Sequence, residues 1–517
     1  MDVEQEIMEP ITYKEAVSSP QRIQWEAAMK DELSSLQQMN TWSLVPKRPD
    51  MKVVKSKWVY RVKTGPRGRI EKYKAKVVAV GSSQVEGIDY FETFSPVVKT
   101  DSLRLLLALA NEERMVMRQL DVKTAYLHGK LEEVVYMEQP PGFNAEVGHV
   151  CRLNKAIYGL KQSGRTWYRT LDSILRGQGY RRLESDRCVF VLETAKEKVI
   201  LGVYVDDMIM MATAQDLLTN AIAALATKVE LKDLGEPKYI FGIEIQHDRK
   251  KQQLSISQEK YTEKILKRFG MEQCKPVSTP MESTHVGDQE NPEEVGGTKD
   301  NLPYQSLIGS LMYLVQGTRP DIAFAVNYLS QFNKCFTLQH WNKAKRILRY
   351  LQGTKEARLT YTACQKPIIG YPDASWNEEN GGRSRSAYVF TISQGAVSWR
   401  SVRQQLVALS TCEAEYVALT EALKQGQWIK TFLGELGFKK YTSDTLKMKC
   451  DNQSAIKLIE NPIHHQRSKH INVKYLYARN QVEKGEFSVE YIPTEHMLAD
   501  ALTKPVPRMC FAHRGAF

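Results

Sequence analysis

The chain is 517 residues long and carries 72 Lys+Arg against 60 Asp+Glu, a formal net charge of +12. At roughly 150 residues per domain that length implies about three domains, and an apolar share of 42% excludes a wholly disordered chain. No run approaches the ~18 apolar residues of a membrane span, the acidic start MDVEQEIMEP has no apolar signal core, and the eight cysteines form no CxxC pair, so the expectation is a non-secreted protein of a reducing, intracellular compartment with no membrane partner.

Ser19-Pro20 supplies a cap residue and a first-turn proline. Trp25, Met29, Leu33, Leu36 and Met39 then recur at helical spacing up to a stop at Asn40. Residues 52–80 alternate about Gly65-Pro66-Arg67-Gly68, the pattern of a hairpin. It is strongly basic: Lys52, Lys55, Lys57, Arg61, Lys63, Arg67, Arg69, Lys72, Lys74 and Lys76 are opposed only by Glu71. Charge clustered in this way points to a polyanion, most commonly nucleic acid, although a solvated Lys-rich hairpin would look the same. Ser102–Asn111 reads as a helix and Met115–Val122 as a strand, two apolar runs flank Asp206-Asp207 between Val199 and Ala212, and 257–270 reads as a helix.

The stretch 281–302 is poor in large apolar residues and predicts a mobile loop or linker. Helical patterns follow near 303–316, 320–334 and 337–352. The last sets Leu338, Trp341, Ala344, Leu348 and Leu351 on one face and Lys343, Lys345, Arg346 and Arg349 around the other. That is either a helix against a nucleic-acid backbone or a plain amphipathic one. Beyond residue 365 come strands (368–372, 386–392, 396–400), a helix (411–424), a strand (446–450), a helix (452–459) and a strand-plus-helix end (488–502), a second α/β unit.

Two carboxylates between apolar strands, Asp206 and Asp207, need a tight hairpin turn. Alone they would read as a turn and nothing more. Asp121, at the end of an apolar strand and just before a helix, would bring a third carboxylate to the same point. Three anions together repel unless cations compensate them. Two divalent ions roughly 3.5–4 Å apart would do so, and would polarise the attacking and leaving oxygens of a phosphoryl transfer. Oxygen-only ligation favours Mg²⁺ or Mn²⁺.

Tyr204-Val205-Asp206-Asp207, preceded by Gln119-Leu120-Asp121-Val122-Lys123-Thr124-Ala125-Tyr126, resembles the palm motifs of reverse transcriptases. Lys57-Trp58-Val59-Tyr60, Lys72-Tyr73-Lys74-Ala75-Lys76, Gly87-Ile88-Asp89-Tyr90-Phe91-Glu92-Thr93-Phe94-Ser95-Pro96, Tyr136-Met137-Glu138-Gln139-Pro140-Pro141-Gly142-Phe143, Tyr158-Gly159-Leu160-Lys161-Gln162-Ser163 and Cys274-Lys275-Pro276 narrow the resemblance to the reverse transcriptase–RNase H portion of a copia-type LTR retrotransposon Pol polyprotein, from about residue 20 to about 506. The resemblance implies that Asp121, Asp206 and Asp207 are catalytic metal ligands. It implies that Tyr126 packs under the incoming sugar and excludes a 2′-hydroxyl, though a core aromatic is its plainer reading. It places Gln162 against the nucleotide and one of Lys74 and Lys76 on the triphosphate. Phe241-Gly242 resembles the primer-grip turn, with a structural turn as the alternative.

Asp373 follows a strand, Glu415 lies on a helix, Asp451 follows a strand, and Asp500 lies in the last helical stretch. Singly each is ordinary. In this order they resemble the four carboxylates of ribonuclease H, which hold two Mg²⁺ ions at the scissile phosphate of an RNA strand. Glu415, followed by Ala418, fits the family's helix better than Glu413. His496 or Glu495 is the candidate proton shuttle. His464, His465 and His470 have no Cys partners at zinc spacing and read as surface or phosphate-contacting residues.

The expected fold class is therefore α+β: a right-hand polymerase followed by an α/β RNase H-like domain. The expected division is a tail (1–19), fingers and palm (20–270), a mobile linker (271–302), a helical thumb or connection segment (303–365), the RNase H-like domain (366–507) and a tail (508–517). The implied activity is RNA-dependent DNA synthesis with linked RNase H cleavage, two Mg²⁺ or Mn²⁺ ions serving each centre. The implied partners are RNA template, DNA primer, RNA–DNA hybrid and dNTPs, with other products of the polyprotein beside them. The implied location is cytoplasmic particles or the nucleus. The alternative from another class is a truncated or domesticated remnant that binds nucleic acid without catalysis.

Overall fold

The computed structural model describes residues 8–64, 70–143, 146–194, 197–282, 302–379, 382–460 and 472–505. In the first lobe, strands Ser56–Thr64 and Ile70–Ala79 pair Val59 with Lys76, Arg61 with Lys74 and Lys63 with Lys72. Successive strand residues point to opposite faces. Arg61, Lys63, Lys72, Lys74 and Lys76 therefore share one face, and Trp58, Tyr60, Tyr73, Ala75 and Val77 share the other. The apolar face is buried on the helix Arg22–Gln38, where Trp25 meets Tyr60 and Tyr73 edge-on at 5.2 and 4.7 Å. The expected basic hairpin is thus present, and its sidedness is what separates charge from core.

An antiparallel six-stranded sheet follows in the order Leu231–Asp233, Val116–Val122, Asp207–Ala212, Lys198–Tyr204, Val189–Glu193, Arg181–Arg182. Its central strand Lys198–Tyr204 is buried at every position but the last, which explains its unbroken apolar run. Helices Ser163–Gly177 and Gln215–Ala226 cover one face through Trp167, Leu171, Leu175, Leu218 and Leu225. The helix Thr100–Glu112 covers the other and is buried at every residue from Ser102 to Glu112. A helix buried all round lies between layers. Here the further layer is a five-stranded sheet ordered Gly395–Arg403, Arg383–Ile392, Ile369–Glu379, Leu446–Cys450, Phe487–Tyr491, with its last two strands parallel to the Ile369–Glu379 strand and to each other. The helix Thr411–Glu435 crosses this sheet. One core runs from Leu103 through Leu311 and Val326 to Phe390 and Phe432.

The structure departs from the sequence expectations in several places. The helix expected over 320–334 opens as a 3₁₀ turn, Pro320–Ile322, and runs as an α-helix only over Ala323–Ser330. The stretch 271–282 of the expected mobile linker is packed: Met281 is buried, Arg346 binds Glu282 at 2.5 Å, and Arg349 donates to the Lys275 carbonyl at 2.8 Å. The same contacts take two of the four cations expected on the outer face of helix Leu338–Gly353 into internal bonds. Asp500 lies in a 3₁₀ turn, Leu498–Leu502, and not in an α-helix. The Gly65–Gly68 turn, the rest of the expected linker, His464, His465 and His470, and the C-terminal tail lie outside the described residues. Among the described residues no helix is long and apolar enough to cross a membrane.

Two candidate carboxylate centres

Asp207 heads its strand and is the register partner of Asp121 on the neighbouring strand. Tyr204 pairs with Asp207, so Val205 and Asp206 form a two-residue turn, and the Asp206 carbonyl accepts from the Val122 amide at 2.9 Å. The three acids expected to meet are therefore brought together. Val205 has φ +59° at a position that two-residue hairpins with one positive φ normally give to glycine. A β-branched residue there is strained. The indole of buried Trp167 holds the turn by donating to the Val205 carbonyl at 2.7 Å. Burial, reinforced by the charges of Asp206 and Asp121, pushes the Asp207 carboxyl up to about 6, against a hydrogen bond from Gln119.

Asp121 and Asp206 line a cleft of about 540 Å³ that also takes in the cationic face of the hairpin: Lys63, Lys72, Lys74 and Lys76. Burial lowers the Lys76 ammonium, while Glu32, Asp206 and Asp121 act the other way. Lys74 is lowered by burial and by its neighbours Lys63 and Lys76. Lys76 Nζ lies 3.6 Å from the centroid of Tyr158, which meets Tyr126 edge-on at 4.6 Å. Asp206 contributes to raising the Tyr126 phenol, behind burial and Tyr158. Lys74 and Lys76 line this cleft, and Tyr126 packs on Tyr158, which also lines it. Gln162 does not. It is buried, its amide oxygen accepts from Gln84 at 3.1 Å, and its amide nitrogen donates to the Asp89 carbonyl at 2.8 Å. Its side chain ties two loops together and does not line the cleft, so the expected nucleotide contact at Gln162 is corrected to a structural one.

Phe241 and Gly242 form the turn between Tyr239–Ile240 and Ile243–Asp248, with φ +53° and +81°. Phe241 lies 4.9 Å from the ring of Tyr204, beside the Asp-Asp turn. Tyr313, from the helix Tyr304–Gly317, donates to the Phe241 carbonyl at 3.2 Å. A Cβ on Gly242 would come within 1.9 Å of the Tyr313 hydroxyl.

In the second centre, Gly370 is the register partner of Met448 on a parallel strand. Asp373 and Asp451 each stand three residues further on, side by side beyond the strand pairing. Asp373, Glu415 and Asp500 are buried. Burial raises the Asp373 carboxyl, and Asp500 and Asp451 add to the rise. Burial likewise raises Glu415, aided by Asp373 and Asp451. Glu415 is 7% exposed, and its Oε2 has no hydrogen-bond partner. One oxygen each of Glu415 and Asp451 and the Cys450 Sγ all lie within 4.8 Å of one another. A buried, mutually repelling carboxylate set with an unsatisfied oxygen suits a divalent cation, and oxygen donors suit Mg²⁺ or Mn²⁺. Thr503 donates to Asp373 at 2.5 Å, Thr494 to Asp451 at 2.8 Å, and Lys504 Nζ lies 2.6 Å from Asp500 Oδ1. His496 and Glu495 stand exposed next to Thr494. Sequence reasoning missed Lys504, although its i+4 spacing from Asp500 was a usable signal. It also gave no role to Tyr158 or Trp167, whose tasks emerge only from the tertiary packing.

Residues 39–283 match the reverse transcriptase (RNA-dependent DNA polymerase) family. The chain is 42% identical over 512 residues to the retrovirus-related Pol polyprotein from transposon TNT 1-94 of Nicotiana tabacum, covering 97% of this chain and 38% of that one. It is 38% identical over 494 residues to the Pol polyprotein from transposon RE1 of Arabidopsis thaliana, covering 94% of this chain and 33% of that one. A solved foamy viral protease-reverse transcriptase superposes with a TM-score of 0.49 at 10% identity, over 91% of this chain and 70% of that one. The first centre therefore sits in a reverse transcriptase domain. Over nearly its whole length the chain is similar to the Pol polyproteins of copia-type transposons, and it spans between 33% and 38% of the length of the plant relatives it matches.

Proposed function

We propose that the chain is an RNA-dependent DNA polymerase with a linked RNase H, copying retrotransposon RNA into DNA. The observation that supports this most is that Asp121, register partner of Asp207, shares one cleft with Asp206 and a wall of lysines. In this reading the hairpin lobe is the fingers, the six-stranded sheet the palm, and the helices Tyr304–Gly317, Ala323–Ser330 and Leu338–Gly353 a thumb-like segment.

Asp121, Asp206 and Asp207 would hold Mg²⁺ or Mn²⁺ in the palm, and Asp373, Glu415, Asp451 and Asp500 would do so in the RNase H-like domain. Such ions, when bound, supply activation of the attacking oxygen and charge stabilisation of the leaving group. The chain's own residues do the rest. Lys74 and Lys76 neutralise the triphosphate of a dNTP across the cleft from the acids. The ring of Tyr126, held by Tyr158, fills the space a 2′-hydroxyl would need. Phe241, braced by Tyr313 and resting on Tyr204, positions the primer end. The cationic fingers face contacts the RNA template and DNA primer through phosphates, without reading sequence. In the second centre Thr503 and Thr494 fix the carboxylates of Asp373 and Asp451 around the RNA strand of the hybrid.

The test is primer extension on an RNA template with Mg²⁺, run beside hybrid cleavage, for the parent, Asp206→Asn and Asp451→Asn. Asp206→Asn is expected to lose extension and keep cleavage; Asp451→Asn is expected to do the reverse. Loss of both activities in either variant, or an unchanged extension signal in Asp206→Asn, would overturn the assignment.

A further inference from the structure

We propose that Lys504 is a built-in counter-cation of the second centre, which in the metal-free protein holds a place that a divalent ion takes over. The inference rests on reading that centre as a metal-dependent RNase H. Thr503 and Lys504 follow the 3₁₀ turn that carries Asp500. The two side chains divide the labour: Thr503 donates to Asp373, and the Lys504 ammonium reaches Asp500 Oδ1 at 2.6 Å. The Asp500 side chain is 7% exposed and that of Lys504 is 41% exposed, so a part-exposed lysine pairs with a buried acid. The same charge opposes the rise of both the Asp373 and Glu415 carboxyls. One ammonium therefore acts on three of the four acids.

An ammonium offers one positive charge and a few donor directions. A divalent ion offers two charges and accepts several oxygens at once. The two cannot both sit against Asp500 without repelling each other. Metal entry would then be an exchange: Asp500 would hold the ion in place of Lys504, whose part-exposed side chain would turn toward solvent. The structure that results is stable without metal, and it binds metal less tightly than four bare carboxylates would.

The experiment measures Mn²⁺ binding to the full chain by the electron paramagnetic resonance of free Mn²⁺. Parent and variants all carry Asp121→Asn and Asp206→Asn, so that only the second centre counts. Lys504→Gln is expected to bind Mn²⁺ about twofold to fivefold more tightly, from the strength of a part-exposed ion pair. Its metal-free melting temperature is expected to fall. Lys504→Arg keeps the charge and is expected to bind as the parent does. Unchanged or weaker binding in Lys504→Gln overturns the inference, as does tightening in Lys504→Arg equal to that in Lys504→Gln. Absence of Mn²⁺ binding in parent and variants alike overturns the RNase H reading beneath it.

Discussion

Replacing Arg104 with methionine tests whether the buried helix Thr100–Glu112 joins the parts of the molecule. Arg104 is 2% exposed. Its guanidinium donates to the Gln316 carbonyl at 2.6 Å and the Gly317 carbonyl at 2.9 Å, at the C-terminal end of helix Tyr304–Gly317. Those are carbonyls that a helix end leaves without an internal partner, and a cation there is also favoured by the helix dipole. Nε donates to the Val397 carbonyl at 2.7 Å. Val397 is the residue skipped where the register shifts between Phe390–Ser398 and Thr391–Ala396, so its carbonyl lies outside the regular ladder. Asp101 completes the set and, in the variant, would keep Ser398 and Gln425 as donors. Three carbonyls thus lose a donor, at about 1 kcal/mol or more each. Methionine recovers part of this through apolar burial against Trp399, over whose ring the guanidinium now lies at 3.7 Å. The expected net loss is about 2–3 kcal/mol, read as a lower urea midpoint followed by tryptophan fluorescence. Arg104→Lys should fall between, because one ammonium cannot serve the same fork of acceptors. A loss below about 0.5 kcal/mol in Arg104→Met would refute the reasoning, since it would mean these carbonyls find other donors when the guanidinium is removed.

Asp207 gives a pH signature. Its carboxyl is raised to about 6, above the value of about 4 in an unfolded chain, so the folded protein holds that proton more tightly. The contribution to stability is full below the unfolded value and is lost as pH rises through about 6. Asp207→Asn should therefore stabilise the metal-free protein at pH 7 by about 1–2 kcal/mol after solvent screening while abolishing extension; equal melting temperatures at pH 7 would contradict this. In the parent, the Mg²⁺ needed for half-maximal extension should climb as pH falls below 6. Gly242→Ala places a Cβ against the Tyr313 hydroxyl at φ +81°, which costs about 1–2 kcal/mol in backbone conformation alone. It should shorten extension products by loosening the Phe241–Tyr204 contact, and full-length products from a normally stable variant would argue against the turn's role.

The first centre was legible in the sequence because its signal is local: two acids in a turn, one at a strand end, each flanked by apolar runs whose period gives the fold away. The basic hairpin was legible as charge, and strand alternation then fixed which cations face the cleft. Gln162 was misplaced because a polar residue in a loop motif says nothing about burial, and here Gln84 and Asp89 consume its amide. The basic helix face stayed open between two readings for a similar reason. Arg346 and Arg349 look solvent-bound until residues 275–282 are laid across them. The coupling of the two α/β units was not legible at all, because Arg104, Asn111 and Glu112 are polar residues on an apolar helix, and only their partners give them meaning. Asn111 donates to the Gln252 and Tyr361 carbonyls, and Glu112 accepts from the Cys364 and Gln365 amides and from Ser393.

Those partners bear on how the two centres can work together. Glu435, at the end of the helix that carries Glu415, accepts from the Glu184 and Ser185 amides beside the six-stranded sheet. Trp428 of the same helix donates to the Ser185 carbonyl, and Lys198 reaches toward the Leu436 carbonyl. The second centre is thus anchored to the strands of the first by the element that bears one of its own acids, with no intervening domain among the described residues. A duplex that touches both centres would then meet them at a spacing set by packed cores, because such interfaces shift between discrete arrangements and do not deform continuously. It follows that a substitution confined to one acid cluster should leave the other centre's geometry alone, whereas Arg104→Met, which touches neither cluster, should disturb the relation between them.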